Sequence, residues 1–400
     1  MYHEPQTTSY RRDQLTWLIF LLTGYFSYLQ AVIASIMNFL SIELDYTYTQ
    51  SSLHVSITAL GASLMGFIGD RLTLRIGRWK ALWFGGIGMV AGLLITTLGK
   101  VILVTAGGAF ISGFCGGLVL ITSQAVLSDH HRQNRGVALA EANVMASLVV
   151  FFAPLLAGEF QRMYENRGDA FSLDWRAAIY SPALAILILL LLMGRTSLPP
   201  IQESHSQSGV PKRLPFAFWS GISANAIGAA AEWSTLFFAP AFLEHVVGLS
   251  KIDATTRVSL FFVAMAVGRI VGSILSRRLW SGHLLLGAYA LSMGGFLLLW
   301  QGGSQTLNIM GLFVTGLGIA NLYPQGISLA LSAAPGQTNA ATSRNTLFVA
   351  GAIFAVPLFL GSLTDRVGIK EAYGVVLIIL AVGMSLAFIT TRLVKHKSAA

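Results

Sequence analysis

The chain has 400 residues, 54% of them hydrophobic and 11% charged, with a mean hydropathy of +0.67. Soluble domains carry roughly 25% charged residues, so this composition excludes a water-coated globule, and the single cysteine, Cys115, excludes an internal disulfide or a cysteine zinc site. The formal charge of +9 would point to nucleic acid in a soluble protein, but here the placement of the cations matters more than their number, and no nucleic-acid partner is expected.

A bilayer-spanning helix needs about 20 mainly apolar residues. The polar opening, MYHEPQTTSYRRDQ, has no signal-peptide cleavage pattern, so the first apolar run is read as retained. Twelve runs follow, at 15–40, 52–68, 81–99, 101–127, 136–158, 177–193, 216–243, 258–275, 284–302, 306–331, 343–363 and 371–391. The narrowest separations are at Gly99-Lys100 and at Gly302–Gln305. Between the sixth and seventh runs lies GRTSLPPIQESHSQSGVPKRL, residues 194–214, rich in Pro, Ser, Gln and Gly and without periodicity. It reads as a flexible linker between six helices in residues 1–193 and six in 215–400, with His205 a solvated loop residue. The expected fold is an all-α membrane protein of twelve transmembrane helices in two pseudo-symmetric six-helix bundles.

The halves repeat each other. Shifted by 203 residues, GGAFISGF (107–114) falls on MGLFVTGL (310–317), PLLAG (154–158) on PLFLG (357–361), and Gly69, Leu72 and Arg75 on Gly272, Leu275 and Arg278. Related halves about an axis along the membrane normal are a transporter pattern. With the N-terminus inside, sixteen cations fall in cytoplasmic segments and eight in outer loops. The bias predicts both termini in the cytoplasm, in the plasma (inner) membrane.

The densest charge lies in GFIGDRLTLRIGRWKALWFGG, Gly66 to Gly86, between the second and third runs. This loop resembles the best-known motif of the major facilitator superfamily, roughly G-x-L-x-D-R-x-G-R-R/K. Arg75, Ile76, Gly77, Arg78 and Lys80 match its end, while Leu74 stands where the motif has Asp, and Asp70 lies one turn earlier. AEWSTLFFAPAFLEHVVGLS (231–250) is similar to fucose-permease-like proteins. FVAMAVGRI (262–270) and NRGVALAEANVMA (134–146) are similar to the eighth and fifth helices of monocarboxylate carriers, with Met265 in place of an Asp. Neither pattern is complete, so no substrate is carried over. The resemblance implies substrate bound between the halves, lined by the first, fourth, seventh and tenth helices.

Those four runs independently hold polar and aromatic side chains: Tyr25, Tyr28, Gln30 and Asn38; Ser112, Thr122, Ser123 and Gln124; Asn225, Glu232, Trp233 and Ser234; and Asn321, Tyr323 and Gln325. Such groups suit a small polar solute, and they equally suit hydrogen bonding between helices. The expected substrate site is Tyr25, Tyr28, Gln30, Gln124, Asn225, Trp233, Arg269, Asn321, Tyr323 and Gln325. Glu232 lies ten residues before Phe242, roughly 15 Å inside the outer boundary at about 1.5 Å per residue. Arg269, eleven residues after Val258, reaches nearly the same depth. A charge there is costly and usually faces a cavity and a partner. Glu232 is therefore the expected proton carrier, coupled to Arg269, which would grip a substrate carboxylate in bidentate fashion. The alternative is a purely structural pair.

Gating is expected at the inner face. The shift of 203 sets Glu141 opposite Arg344, and Asp70 is placed to latch onto the N-terminus of the eleventh helix. Asp70, Arg71, Arg75, Gly77, Arg78, Glu141 and Arg344 form this group. SDHHR (128–132) reads as a polar turn, because no second ligand cluster accompanies it. His54 reads as a packing residue, and GGIGMVAG (85–92) as close helix packing, since no strand precedes it. No G-x-x-x-x-G-K-[ST] sequence occurs, which argues against an ATP-driven pump. The expectation is a secondary active transporter working by alternating access, not an enzyme. It would couple protons to symport of a small polar solute, a sugar or a small organic acid. A proton-antiport exporter of drugs or metabolites is the alternative within transport, and a non-transporting membrane sensor the alternative outside it. No cofactor or metal is expected. The partners are the small-molecule substrate, protons and the lipid bilayer, and a monomer is favoured.

Overall fold

The computed structural model describes residues 11–167, 174–199, 214–334 and 338–399. Twelve apolar helical segments follow in order: α1 (Gln14–Glu43), α2 (Tyr48–Ile76), α3 (Arg78–Leu98), α4 (Ile102–His131), α5 (Arg135–Arg167), α6 (Ala177–Met193), α7 (Phe216–His245), α8 (Lys251–Leu275), α9 (Ser281–Gln301), α10 (Gln305–Ser332), α11 (Thr338–Val367) and α12 (Ile369–Ala399). Eleven are long and apolar enough to cross a bilayer, and α6 is the short one. Single turns interrupt α5 at Phe151, α8 at Val258 and α10 at Ala320–Asn321. There is no strand among the described residues. Twelve crossings return both chain ends to one side, called here the termini face; the opposite side is the far face.

The helices outrun the apolar runs because caps, rather than hydropathy, end them. Asp13 caps α1 by accepting from the Thr16 amide. Thr47 and Gln50 form a reciprocal capping box on α2. That helix continues past residue 68 through the charged loop and stops at Gly77, whose φ of 83° and ψ of 152° suit only glycine. Gly77 thus makes the sharp turn into α3. The linker residues 200–213, including His205, lie outside the described residues.

The repeat reappears in three dimensions. Gly92 packs on Ser112 where α3 crosses α4, and Gly295 on Thr315 where α9 crosses α10. Gly108 faces Thr96, and Gly311 faces Leu299. Gly113 faces Thr58 of α2, and Gly316 faces Phe261 of α8. Every second contact is the first displaced by 203 residues. Lipid tails are as apolar as side chains, so helices in a bilayer associate through close packing at small residues. A Cβ at Gly113 would be driven into the Thr58 carbonyl, whereas one at Gly107 meets nothing within 4 Å. Gly113→Val is expected to cost about 3 kcal/mol or more, seen as loss of the monodisperse peak in detergent chromatography. Gly107→Val is expected to leave that peak unchanged.

The two halves meet mainly through α2 against α11 and α5 against α8. Their bonds concentrate on the far face. Asp365 at the end of α11 accepts from the amides of Tyr48 and Thr49, at 2.8 and 2.9 Å, and from the Thr49 hydroxyl. Arg162 of α5 pairs with Asp253 of α8 at 2.9 Å. Asn38 of α1 donates to Glu244 of α7 at 3.2 Å and to Thr255 of α8 at 3.3 Å.

Candidate functional site

A cavity of about 370 Å³ lies between the halves. Its walls come from α1 (Phe26, Ser27, Gln30), α2 (Thr58, Ser63), α5 (Ser147, Val150), α7 (Glu232, Trp233), α8 (Phe262, Met265, Arg269) and α11 (Thr346, Ile353), among others. The far-face bonds close it on that side. The far face is thus bonded across the halves.

Among the described residues the cavity wall holds one acid, Glu232, and one base, Arg269, both from the second half. Glu232 and Arg269 are near enough for their charges to interact, yet no carboxylate oxygen comes within 4.0 Å of a guanidinium nitrogen. Arg269 instead donates to the hydroxyl of Ser147 on α5, across the gap between the halves. Gln30 and Trp233 complete the polar and aromatic lining. An acid and a base facing one compartment without touching leave room for a third partner.

Other residues expected in the site face elsewhere. Tyr25 donates to the Gly86 carbonyl of α3 at 3.2 Å, and Tyr28 to the Ala178 carbonyl of α6 at 2.8 Å. Asn225 donates to Asn345 of α11 at 2.8 Å, with both side chains buried. Asn321 donates to the Gly268 carbonyl at 2.8 Å, bridging the break in α10 to α8. Tyr323 lies beside Asn345 and within electrostatic reach of Glu232. Gln124 is exposed and Gln325 buried, both away from the cavity wall. Helix ends and buried helix crossings need hydrogen bonds as much as a substrate does, and sequence does not separate the two uses. The reverse omission is Ser147, Thr58 and Phe262. They sit on α5, α2 and α8 respectively, outside the first, fourth, seventh and tenth helices, and of the cavity residues on those three helices only Arg269 of α8 was marked by its charge.

The expected gate residues are arranged differently from the expectation. Glu141 does not face Arg344; it takes two bonds from Arg12, at 2.8 and 2.6 Å, within the first half. Arg344 is half-buried near the start of α11. Asp70 is exposed and joined to no other described residue, and Arg71 and Arg75 are exposed too. Arg78 is buried and pairs with Asp129 of SDHHR, while also donating to the Pro199 carbonyl at 2.9 Å. Asp129 therefore supplies Arg78 with a carboxylate from α4, in a loop where Leu74 replaces the motif's own acid. Its neighbours are equally engaged: His130 with Asp13 at 2.7 Å, and His131 with Thr16 at 2.8 Å. His54 bonds the Gln50 carbonyl at 2.8 Å and Thr105 at 2.9 Å.

The carboxylate–helix contact that Asp70 was expected to make occurs on the opposite face. Asp365 occupies the N-terminus of α2, where an anion is favoured by the unpaired amides and the helix dipole. Asp365→Asn removes the charge and leaves one acceptor, while the Thr47–Gln50 box still caps the helix. The expected result is about a tenfold rise in the far-open population, read as the distance between spin labels at Tyr164 and Arg257.

Comparison with known proteins fits this architecture. The model of the Major Facilitator Superfamily matches residues 16–347. An uncharacterized MFS-type transporter of Yersinia pestis is 28% identical over 165 residues, covering 40% of this chain and 42% of that relative, less than half its length. Among solved structures, a bacterial homologue of the human lysosomal transporter Spinster, inward-facing and occupied, superposes with a TM-score of 0.73 at 15% identity, covering 95% of this chain and 97% of that one. A D-xylose–proton symporter superposes with a TM-score of 0.73 at 15% identity over 94% and 96% of the chains. The Escherichia coli fucose–proton symporter does so with a TM-score of 0.60 at 16% identity over 93% and 98%.

Proposed function

The chain belongs to the major facilitator superfamily, an integral membrane transporter and not an enzyme, and from that premise we infer that it couples protons to the symport of a small organic acid by alternating access. The observation that carries this reading is the separation of Glu232 and Arg269 across one cavity. Arg269 receives the substrate carboxylate as a bidentate partner. Glu232 binds and releases the proton, and its neutral form lowers the cost of a second anion beside it. Gln30 and Ser27 orient the polar end, while Phe26, Trp233 and Phe262 receive an apolar body. The bias of cations toward the termini face supports a cytoplasmic location for that face. Residues 1–193 and 215–400 would rock as two bodies about the site.

Flux in proteoliposomes tests this, with phenyllactate, lactate and xylose as probes and protein-free vesicles as blanks. Carrier-mediated uptake of one of the acids should rise when the outside is acidified, and its amide should neither be taken up nor compete. Uptake of xylose alone, or acid uptake indifferent to the gradient, would overturn the reading. A second reading, proton antiport of an apolar-bodied compound, is favoured by the many apolar wall residues, such as Ile33, Val55, Leu120 and Val349. The sign of the pH effect separates the two, since antiport outward is driven by an acidic exterior.

A further inference from the structure

The bond between Arg269 and Ser147 has a chemistry of its own. It joins α8 of the second half to α5 of the first, from within the cavity wall. Beyond it, toward the far face, the same two helices are held by Arg162–Asp253 and by Gly158 packed on Thr256. Ser147 is therefore the cavity-side end of the α5–α8 seam. Its side chain is buried, and its hydroxyl hydrogen goes to the Asn143 carbonyl at 2.9 Å. Toward Arg269 it can offer only lone pairs. A guanidinium prefers two carboxylate oxygens to one neutral hydroxyl, so this hold is good enough to fix Arg269 in an empty cavity and weak enough to be displaced.

We propose that Ser147 holds Arg269 while the carrier is empty, tying the halves together along α5 and α8, and that a substrate carboxylate frees them by taking Arg269 away. This rests on the reading of Arg269 as the carboxylate site. Ser147 is then a positioning residue, acting through Arg269. The device biases opening of the far-face seam toward the loaded carrier, by about tenfold, and slows the return of the empty carrier without forbidding it, as net symport requires. It also explains why a neutral acceptor serves at position 147: an acid there would keep Arg269, and an apolar residue would leave it loose.

The test uses the full-length protein in lipid nanodiscs, with Cys115→Ser and spin labels at Tyr164 and Arg257 on the far ends of α5 and α8. In the empty carrier the short label distance should dominate. Ser147→Ala should raise the ratio of parted to joined molecules about tenfold, the usual effect of losing a hydrogen bond to a charged group. Ser147→Thr, which keeps the hydroxyl, should behave as the parent. Ser147→Ala combined with Arg269→Ala should part no further than either change alone. A Ser147→Ala distribution identical to the parent, or additive effects in the double variant, overturns the tie. Phenyllactate should part the parent and leave Ser147→Ala unchanged. If neither phenyllactate nor lactate moves the parent or raises its melting temperature while Ser147→Ala still parts the empty carrier, the release step and the carboxylate reading fail and the tie stands.

Discussion

Glu232→Gln is expected to abolish pH-driven accumulation while sparing exchange. One proton per substrate makes each pH unit worth about 1.4 kcal/mol, a tenfold concentration ratio. Under a gradient of about two units, the parent protein should therefore approach a ratio of about 100, and the variant should stay near 1. Glutamine keeps the size of the side chain and a carbonyl acceptor but binds no proton. Counterflow of labelled against unlabelled substrate needs no net proton movement, so it should persist within about threefold of the parent. The cavity position of Glu232 is what makes this separation testable, because the side chain lines the cavity rather than a helix crossing. Undiminished accumulation in Glu232→Gln would remove this residue from the coupling mechanism.

Arg269→Ala has the second large effect, on recognition. Hydrogen bonds to charged groups contribute about 1.5–3 kcal/mol each, so losing a bidentate contact should weaken acid binding about 100-fold or more. Discrimination is the sharper readout. The parent should bind an acid far better than its methyl ester, and Arg269→Ala should bind both equally poorly. Arg269→Lys keeps the charge without the planar fork and should recover only part of the preference. A purely structural pairing with Glu232 predicts something else: Arg269→Ala would destabilise the protein, Glu232→Gln would restore it, and acid and ester would be distinguished throughout.

The seam between the halves shows how a local reading can identify the right physics on the wrong face. Asp70 lies in the motif loop, and a carboxylate at a helix N-terminus was the expected latch. The structure has such a latch, but with Asp365 at α2 on the far face. Asp365 is separated from Tyr48 by 317 residues, and nothing near it in sequence points to the partner. Glu141 is the parallel case. Its match with Arg344 under the repeat was sound as arithmetic, yet Arg12 lies closer in the fold and takes the carboxylate with two bonds.

What the sequence determined by itself was the set of helices, their number, their duplication and the presence of one membrane-depth acid and base. These are one-dimensional properties: the length of an apolar run, the sidedness of cations, and small residues recurring at an offset of 203. Even the contacts Gly92–Ser112 and Gly295–Thr315 follow that offset. What only the tertiary structure decided was which way each helix faces. In water a polar stripe marks the exposed face of a helix. In a bilayer both the lipid and the protein interior are apolar, so rotation about the helix axis leaves little trace in hydropathy. Packing set it instead, turning Tyr25 and Tyr28 onto neighbouring carbonyls and bringing Ser147 to Arg269.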